Sequence, residues 1–183
     1  MIEITYTQML IFISVVWLSI RAICWIVNAG IDLKREAKLL LVYICIVVVV
    51  RFTFCPFGTV DGKIQPLLFD SSRILPFWVN LKPFVYWFDY PTMKEALLNL
   101  IGNTAMFIPL GSVWPAVFKR LNTHGKVIAA GVGISLTIEI LQLPFFNRAT
   151  DIDDLILNSA GFLMGYGIYL AVVRRILSKH QCK

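Results

Sequence analysis

The chain has 183 residues, of which 58% are hydrophobic and 15% are charged, and its mean hydropathy is +0.75. An ordinary soluble domain is about 45–50% apolar and about 25% charged. Because a globular core must still present a polar surface to water, this composition argues against a soluble enzyme, a disordered tail and a disulfide scaffold. We therefore expect the chain to reside in a membrane.

Five segments approach the roughly 17–25 apolar residues that a helix needs to cross a bilayer. They are Ile4–Val27, Leu39–Phe54, Ala96–Phe118, Val127–Phe146 and Leu155–Val173. The first lacks a preceding basic region and a small-residue cleavage site, so we expect it to remain in the mature protein. The prediction is an all-α membrane protein, a bundle of five transmembrane helices. It divides into an N-terminal helix and loop (residues 1–38), a membrane domain (39–173) and a basic cytoplasmic tail (174–183).

The basic residues are distributed unevenly between the two sides of the predicted bundle. Ten lie on the connections after the first and third spans and in the tail, whereas five lie on the other two connections. The positive-inside rule then places the N-terminus outside and the C-terminus in the cytoplasm of a bacterial cell. The net charge of +6 is thus explained by orientation, and no nucleic-acid partner is expected.

The long connection between spans 2 and 3, about Cys55–Glu95, is rich in aromatic residues. Seven of them fall within 14 residues: Phe77, Trp78, Phe84, Tyr86, Trp87, Phe88 and Tyr90. Aromatic side chains favour the level of the lipid headgroups, so we expect this segment to lie along the outer membrane interface. It is interpreted either as an interfacial anchor or as one wall of a binding site for an amphiphile.

Polar residues recur at helical spacing inside the last three spans. Span 3 carries Asn99 and Asn103, span 4 carries Ser135, Glu139 and Gln142, and span 5 carries Asp154 and Asn158. Within each span these spacings place the polar side chains on one helix face. At about 1.5 Å per residue, Asn103, Glu139 and Asn158 fall roughly 10 Å below the outer surface, with Asn99, Gln142 and Asp154 above them.

This polar layer is the predicted ligand-binding site. An ionisable residue inside a membrane is a functional-site hypothesis by default, because its insertion is costly. Arg51 is the expected positive partner of Glu139, and Arg148 is positioned in the sequence to contact an anion such as a phosphate. The alternative is that the Asn and Gln side chains only join helices by hydrogen bonds.

An acidic segment, TDIDD at 150–154, opens span 5. Thr150 and Asp153 have the spacing of a helix-capping box. The functional interpretation is a carboxylate cluster that binds a divalent cation or a cationic ligand group, which makes a divalent cation a candidate cofactor. Further along span 5, Gly161 and Gly165 predict close packing on a neighbouring helix.

Several of these segments together resemble the VanZ family. They are NLKPF at 80–84, NLIGN at 99–103 running into FIPLG at 107–111, SLTIEILQ at 135–142, and ATDIDD at 149–154 followed by Asn158 and Gly161. The resemblance covers roughly residues 40–173. It implies a membrane accessory factor linked to low-level resistance to teicoplanin and to reduced antibiotic binding at the cell surface, and it implies no catalytic residues.

Three functions are compatible with these features. The first is binding or remodelling of an envelope lipid, such as a lipid-linked cell-wall precursor, in the outer leaflet. The second is an intramembrane hydrolase or transferase that acts on a lipid headgroup, with Glu139 as general base and Asp151, Asp153 or Asp154 as acid or metal ligand. The third is a non-catalytic structural partner of cell-wall synthesis.

Overall fold

The computed structural model describes residues 1–28, 30–55, 59–60, 62–74, 79–84, 92–121 and 123–181. Within these residues, five helices are long and apolar enough to cross a membrane. They are α1 (Tyr6–Val27), α2 (Leu33–Phe54), α3 (Met93–Val117), α4 (His124–Gln142) and α5 (Ile152–Gln181). The predicted all-α membrane protein with five transmembrane helices is confirmed. Most of the aromatic segment, at 75–78 and 85–91, lies outside the described residues.

Within the described residues, six short strands accompany the helices. They are β1 (Ile2–Ile4), β2 (Thr59–Val60), β3 (Lys63–Ile64), β4 (Leu67–Phe69), β5 (Val79–Asn80) and β6 (Thr150–Asp151). They form three two-stranded sheets, which pair β1 with β4, β2 with β3, and β5 with β6. The first two pairs are antiparallel, and Glu3 faces Leu68 in the register of β1 and β4.

Several helix boundaries differ from those predicted from hydropathy, and three of the differences have a local cause. The second helix begins at Leu33 instead of Leu39, because the Asp32 side chain accepts hydrogen bonds from the first backbone N–H groups. The fourth ends at Gln142, so the predicted end at Phe146 is wrong: a turn containing Pro144 follows. The fifth begins at Ile152, three residues before the predicted start. Its N-cap is Asp151, which accepts from the backbone N–H of Asp153, and not the predicted Thr150.

The chain forms two compact units. The first contains Met1–Val79 and Leu141–Thr150, and the second contains Asn80–Ile140 and Asp151–Lys183. Helices α1 and α2 belong to the first unit. Helices α3, α5 and all but the last two residues of α4 belong to the second.

In the first unit, polar contacts join α1 to α2. Arg21 is the buried residue of α1, and its guanidinium forms an ion pair with Glu36 of α2. Nearer the N-terminus of α1, the hydroxyls of Ser14 and Tyr43 lie 2.6 Å apart. Because Arg21 and Glu36 are paired, neither charge faces hydrocarbon alone. Both contacts fix how α1 lies against α2.

The loops of the first unit are also held by side-chain hydrogen bonds to the backbone. The Asn147 side chain donates to the Pro66 carbonyl at 2.9 Å and accepts from the Leu68 N–H at 3.2 Å. Arg73 donates to the backbone carbonyls of Phe145 and Phe146. These bonds satisfy backbone groups in strand β4 and in the connecting loops.

In the second unit, α3 and α5 pack at backbone distance. A Cβ atom on Gly161 would lie 2.0 Å from the Thr104 carbonyl oxygen, and one on Gly165 would lie 2.0 Å from that of Ile108. Moving one turn along both helices in the same direction leads from the first contact to the second, so α3 and α5 are parallel. The close packing predicted for Gly161 and Gly165 is confirmed.

This contact predicts opposite outcomes for two alanine substitutions on the same helix. Gly161→Ala should lower the melting temperature of the detergent-solubilised protein, because crowding a close-packed contact costs about 1–3 kcal/mol. Gly167→Ala is the matched control: a Cβ there meets no atom within 4 Å. Alanine at this position should maintain or raise the melting temperature. Equal melting temperatures for the two variants would contradict the packing described here.

Candidate functional site

Helices α4 and α5 run antiparallel beside each other in the second unit. A Cβ atom on Gly131 would lie only 2.5 Å from the ring of Phe162, so α4 and α5 are in close contact at this point. The carboxylates of Glu139 and Asp154 are close enough to repel each other electrostatically. These two contacts set the register of α4 against α5. Ser135 lies four residues from both Gly131 and Glu139, and Asn158 lies four residues from both Phe162 and Asp154. The side chains of Ser135 and Asn158 therefore lie at one level, halfway between the two contacts.

Asn103 of α3 connects this pair of helices to a third. Its side-chain amide donates to the Asp154 carboxylate and, at 3.3 Å, to the amide oxygen of Asn99. Asn103 is buried, and Asn99 lies one turn away on the same helix face, as the sequence predicted. The upper level of the site therefore contains Asn103, Asp154 and Glu139, and Asn99 lies one helical turn above it.

The acidic segment at the start of α5 holds the loop that follows β5. Both carboxylate oxygens of Asp151 accept from the Asn80 side chain at 3.1 Å. Both oxygens of Asp153 accept from the backbone N–H of Phe84, at 3.0 and 3.1 Å. Phe84 has a φ of 60°, a left-handed conformation that is uncommon for an aromatic residue. Asp151 and Asp153 thus use their carboxylates to anchor a strained loop.

Glu139 is the most deeply buried carboxylate of the site, at 3% exposure. One of its oxygens accepts from the backbone N–H of Asp151 at 3.1 Å, which connects α4 to the beginning of α5. Asp154 and Asp151 are its acidic neighbours. Neighbouring carboxylates of this kind suit the binding of a group with several N–H or O–H donors.

The lower level of the site contains polar atoms without hydrogen-bond partners. Ser135 is 0% exposed and Asn158 is 1% exposed. Among the described residues, neither the Ser135 hydroxyl nor the two polar atoms of the Asn158 side chain have a hydrogen-bond partner. Buried polar groups normally have a hydrogen-bond partner. The polar atoms at this level can therefore form hydrogen bonds to a molecule that is not part of the chain.

The depth predicted for Asn158 needs correction. Counting from the predicted spans placed Asn158 level with Glu139, whereas the α4–α5 register places it one turn deeper, level with Ser135. The reason is the earlier start of α5, at Ile152. Asp154, predicted to lie above Glu139, is at its level.

Three predicted site residues belong to the first unit. The Gln142 side chain donates to the Thr53 carbonyl at 2.6 Å, and Arg148 donates to the Phe54 carbonyl at 2.7 Å. Both therefore cap the C-terminal end of α2, where backbone carbonyls lack helical partners. The Arg51 guanidinium lies 5.7 Å from the ring centre of Tyr6 and also stacks on Phe52. The predicted Glu139–Arg51 pair stays a prediction, as does a phosphate contact for Arg148.

The arrangement of acids bears on the candidate cation. Within the described part of the chain, no group of three or more His, Cys, Asp or Glu residues is placed to hold a metal ion. Oxygen atoms of Ser135, Asn158, Glu139 and Asp154 are the ones that could contribute to a site of mixed ligands. A divalent cation stays a hypothesis.

Sequence reasoning missed the loop residues that the acids hold. Asn80 and Phe84 are about 70 residues from Asp151 and Asp153, and no helical or strand period relates them. It also missed the Arg21–Glu36 pair, although a charged residue inside an apolar span, followed by an acid on the next helix, is a usable signal.

The comparisons with known proteins match the region that contains this site. The family model described as VanZ/LLP1 matches residues 40–174. Protein VanZ of Enterococcus faecium is 35% identical over 91 residues, which cover 50% of this chain and 52% of that protein. The chain thus aligns with about half the length of this curated relative. No solved structure matches the chain. Because the family model covers well over half of the sequence, the chain belongs to the VanZ/LLP1 family of membrane proteins.

Proposed function

We propose that the site in the second unit binds the polar headgroup of an envelope lipid or of a lipid-linked cell-wall precursor. The observation that carries this proposal is the level formed by Ser135 and Asn158. Their buried polar atoms lack partners among the described residues, directly beneath the carboxylates of Glu139 and Asp154. A headgroup provides the missing donors and acceptors.

Energetics favours an occupant at this level. A buried polar group without a partner costs about 1–3 kcal/mol, and the Asn158 side chain contributes both a donor and an acceptor. Hydroxyl and amide groups of a headgroup can serve both. The apolar helices around the site then suit the hydrocarbon part of the same molecule, which stays in the bilayer.

Altered access of glycopeptide antibiotics follows from the same proposal. A protein that binds a lipid-linked precursor at the membrane surface can change how much of that precursor an antibiotic reaches. This agrees with the link to low-level teicoplanin resistance that the VanZ resemblance implies. We propose this link for the present chain on the strength of its family.

The second candidate is an intramembrane hydrolase or transferase acting on a headgroup. The facing carboxylates of Glu139 and Asp154 favour it, because acid–base catalysis needs groups within hydrogen-bond reach of the reacting atoms. Asp151 and Asp153 are less suited, since their oxygens accept hydrogen bonds from Asn80 and Phe84. Turnover of a headgroup by the purified protein would distinguish catalysis from binding.

We further propose that the N-terminus lies outside and the C-terminus in the cytoplasm, which places the site in the outer leaflet. The test uses single cysteines in a background without native cysteines. Glu3→Cys should react with a membrane-impermeant maleimide in intact cells, whereas Lys119→Cys should react only after lysis. Both positions are exposed. The reverse labelling pattern would place the site in the inner leaflet and refute this orientation.

Neutralising the buried carboxylate tests whether the site is needed for the phenotype. Glu139→Gln should abolish any increase in teicoplanin resistance that the wild-type chain confers on a susceptible host, at unchanged abundance in the membrane. The glutamine can still accept from the Asp151 N–H, so the fold should persist. Glu95→Gln, an exposed position in the first turn of α3, is the matched control. Resistance equal to wild type in Glu139→Gln would count against the site.

Removing the amide of Asn158 separates binding from structure. Asn158→Leu deletes polar atoms that have no partner in the described chain, so the melting temperature of the lipid-free protein should be maintained or raised. The lipid that co-purifies with the wild-type protein, measured by mass spectrometry, should be lost. Thr137→Val on the exposed face of α4 is the control, because its hydroxyl bonds to its own helix. Lipid retained by Asn158→Leu would contradict the proposal.

A further inference from the structure

The second unit is acidic at the end where α5 begins, which is the end that contains the proposed site. Among its described residues there, the acids are Glu95, Glu139, Asp151, Asp153 and Asp154, and the bases are Lys82 and Lys94. An anionic ligand group is therefore repelled by this end of the second unit, whereas a cationic ligand group is attracted to it.

Two of these acids lie inside the site and approach each other. Glu139 is 3% exposed, and Asp154 of the neighbouring helix is close enough for their charges to repel. Glu139 accepts from the Asp151 N–H, and Asp154 accepts from the Asn103 amide. A carboxylate has about four acceptor sites, so a carboxylate with such a bond can also accept from a ligand. A cation between Glu139 and Asp154 replaces their repulsion by attraction.

The helix ends at this level do not reverse that preference. Helix α4 ends at Gln142, three residues after Glu139, and α5 begins at Ile152, two residues before Asp154. The partial negative charge at the C-terminus of α4 opposes the partial positive charge at the N-terminus of α5. The sign of the potential between these two helices is therefore set by the carboxylates.

Neutral hydrogen-bond acceptors lie one turn deeper than the carboxylates. The Asn158 amide oxygen and the Ser135 hydroxyl are on the same helix faces as Asp154 and Glu139, four residues away in each case. They are fully buried and have no hydrogen-bond partner among the described residues. A ligand group at this depth thus meets carboxylates above it and neutral acceptors below it. That arrangement suits a cation with several N–H donors.

Phe162 closes the site from below. It is fully buried, and a Cβ on Gly131 would lie 2.5 Å from its ring. This contact is one turn, about 6 Å, beneath the level of Ser135 and Asn158. Because α4 and α5 are so close at that depth, a compact ammonium group suits the level above it better than a sugar ring does.

We propose that the headgroup bound at this site carries a protonated primary amine, as an ethanolamine phospholipid does. This inference rests on the proposed function and names the chemical class of its ligand. The ammonium lies between the carboxylates of Glu139 and Asp154 and directs its third N–H to the neutral acceptors below. N-methylation removes donors without removing the charge, so it weakens binding.

The test measures lipid binding to the wild-type, full-length protein in detergent by native mass spectrometry. The lipids share their acyl chains and are phosphatidylethanolamine, its N-methyl and N,N-dimethyl derivatives, and phosphatidylcholine. Each step of this series removes one N–H donor and leaves the charge unchanged. Binding should fall along the series, on the order of tenfold in total, because charge-assisted hydrogen bonds are lost. Phosphatidylglycerol, which is anionic, should bind more weakly than phosphatidylethanolamine. Equal binding across the series, or stronger binding of phosphatidylglycerol, overturns the proposal.

A pair of variants tests whether the carboxylates of the site cause the preference. Asp154→Asn removes one charge and keeps an oxygen that can accept from Asn103. It should lower the preference for phosphatidylethanolamine over phosphatidylcholine to about threefold, since a hydrogen bond to a neutral acceptor is roughly half as strong. Glu95→Gln, which removes an exposed acid at the same end of the second unit, is the matched control and should keep the wild-type preference. An unchanged preference in Asp154→Asn, or an equal loss in Glu95→Gln, contradicts recognition by the site.

Asn158→Leu and a soluble competitor separate this inference from the proposed function. If Asn158→Leu retains the bound lipid, both proposals fail. If it loses the lipid but the wild-type protein binds all headgroups of the series equally, the proposed function stands and the inference about the amine fails. Glycerophosphoethanolamine at the same concentration should not displace phosphatidylethanolamine, because it lacks acyl chains. Displacement would overturn a lipid as the source of the amine and indicate a soluble amine instead.

Discussion

The polar site of the second unit depends on the contact between the backbones of α3 and α5. Glycines at 161 and 165 let the two parallel helices approach until carbonyl oxygens of α3 lie where side chains would otherwise be. That approach fixes which residues meet, and it brings the amide of Asn103 to the carboxylate of Asp154. In hydrocarbon, burial of apolar surface supplies no driving force for helix association, so close packing and hydrogen bonds must hold this pair together.

The molecule treats its polar intramembrane groups in two different ways. In the first unit, Arg21 and Glu36 face each other as a complementary pair, which joins two helices. In the second unit, like-charged carboxylates face each other above Ser135 and Asn158, whose polar atoms have no partners in the described residues. A paired contact stabilises by itself, whereas under the proposed function the second arrangement is stabilised by the bound headgroup.

How much the sequence could predict depends on how local each interaction is. The shared face of Asn99 and Asn103 follows from the helical period, and the close packing at Gly161 and Gly165 follows from two small residues at that spacing. The depth of Asn158 did not follow, because it depends on where α5 begins, and its cap at Asp151 is set by a local hydrogen bond. The contacts of Asn80 and Phe84 were beyond prediction, since they join a loop to a helix about 70 residues away.

The pairing of α3 with α5 has a consequence for how the protein assembles. These helices are neighbours in space but not in sequence, because α4 lies between them along the chain. When α3 enters the membrane during synthesis, the segment that will pack against it has not yet been made. Asn99 and Asn103 must then reside in the bilayer without the carboxylate of Asp154. The site can form only after α5 has inserted, so its assembly is a late, post-insertion event governed by lateral association of helices within the membrane.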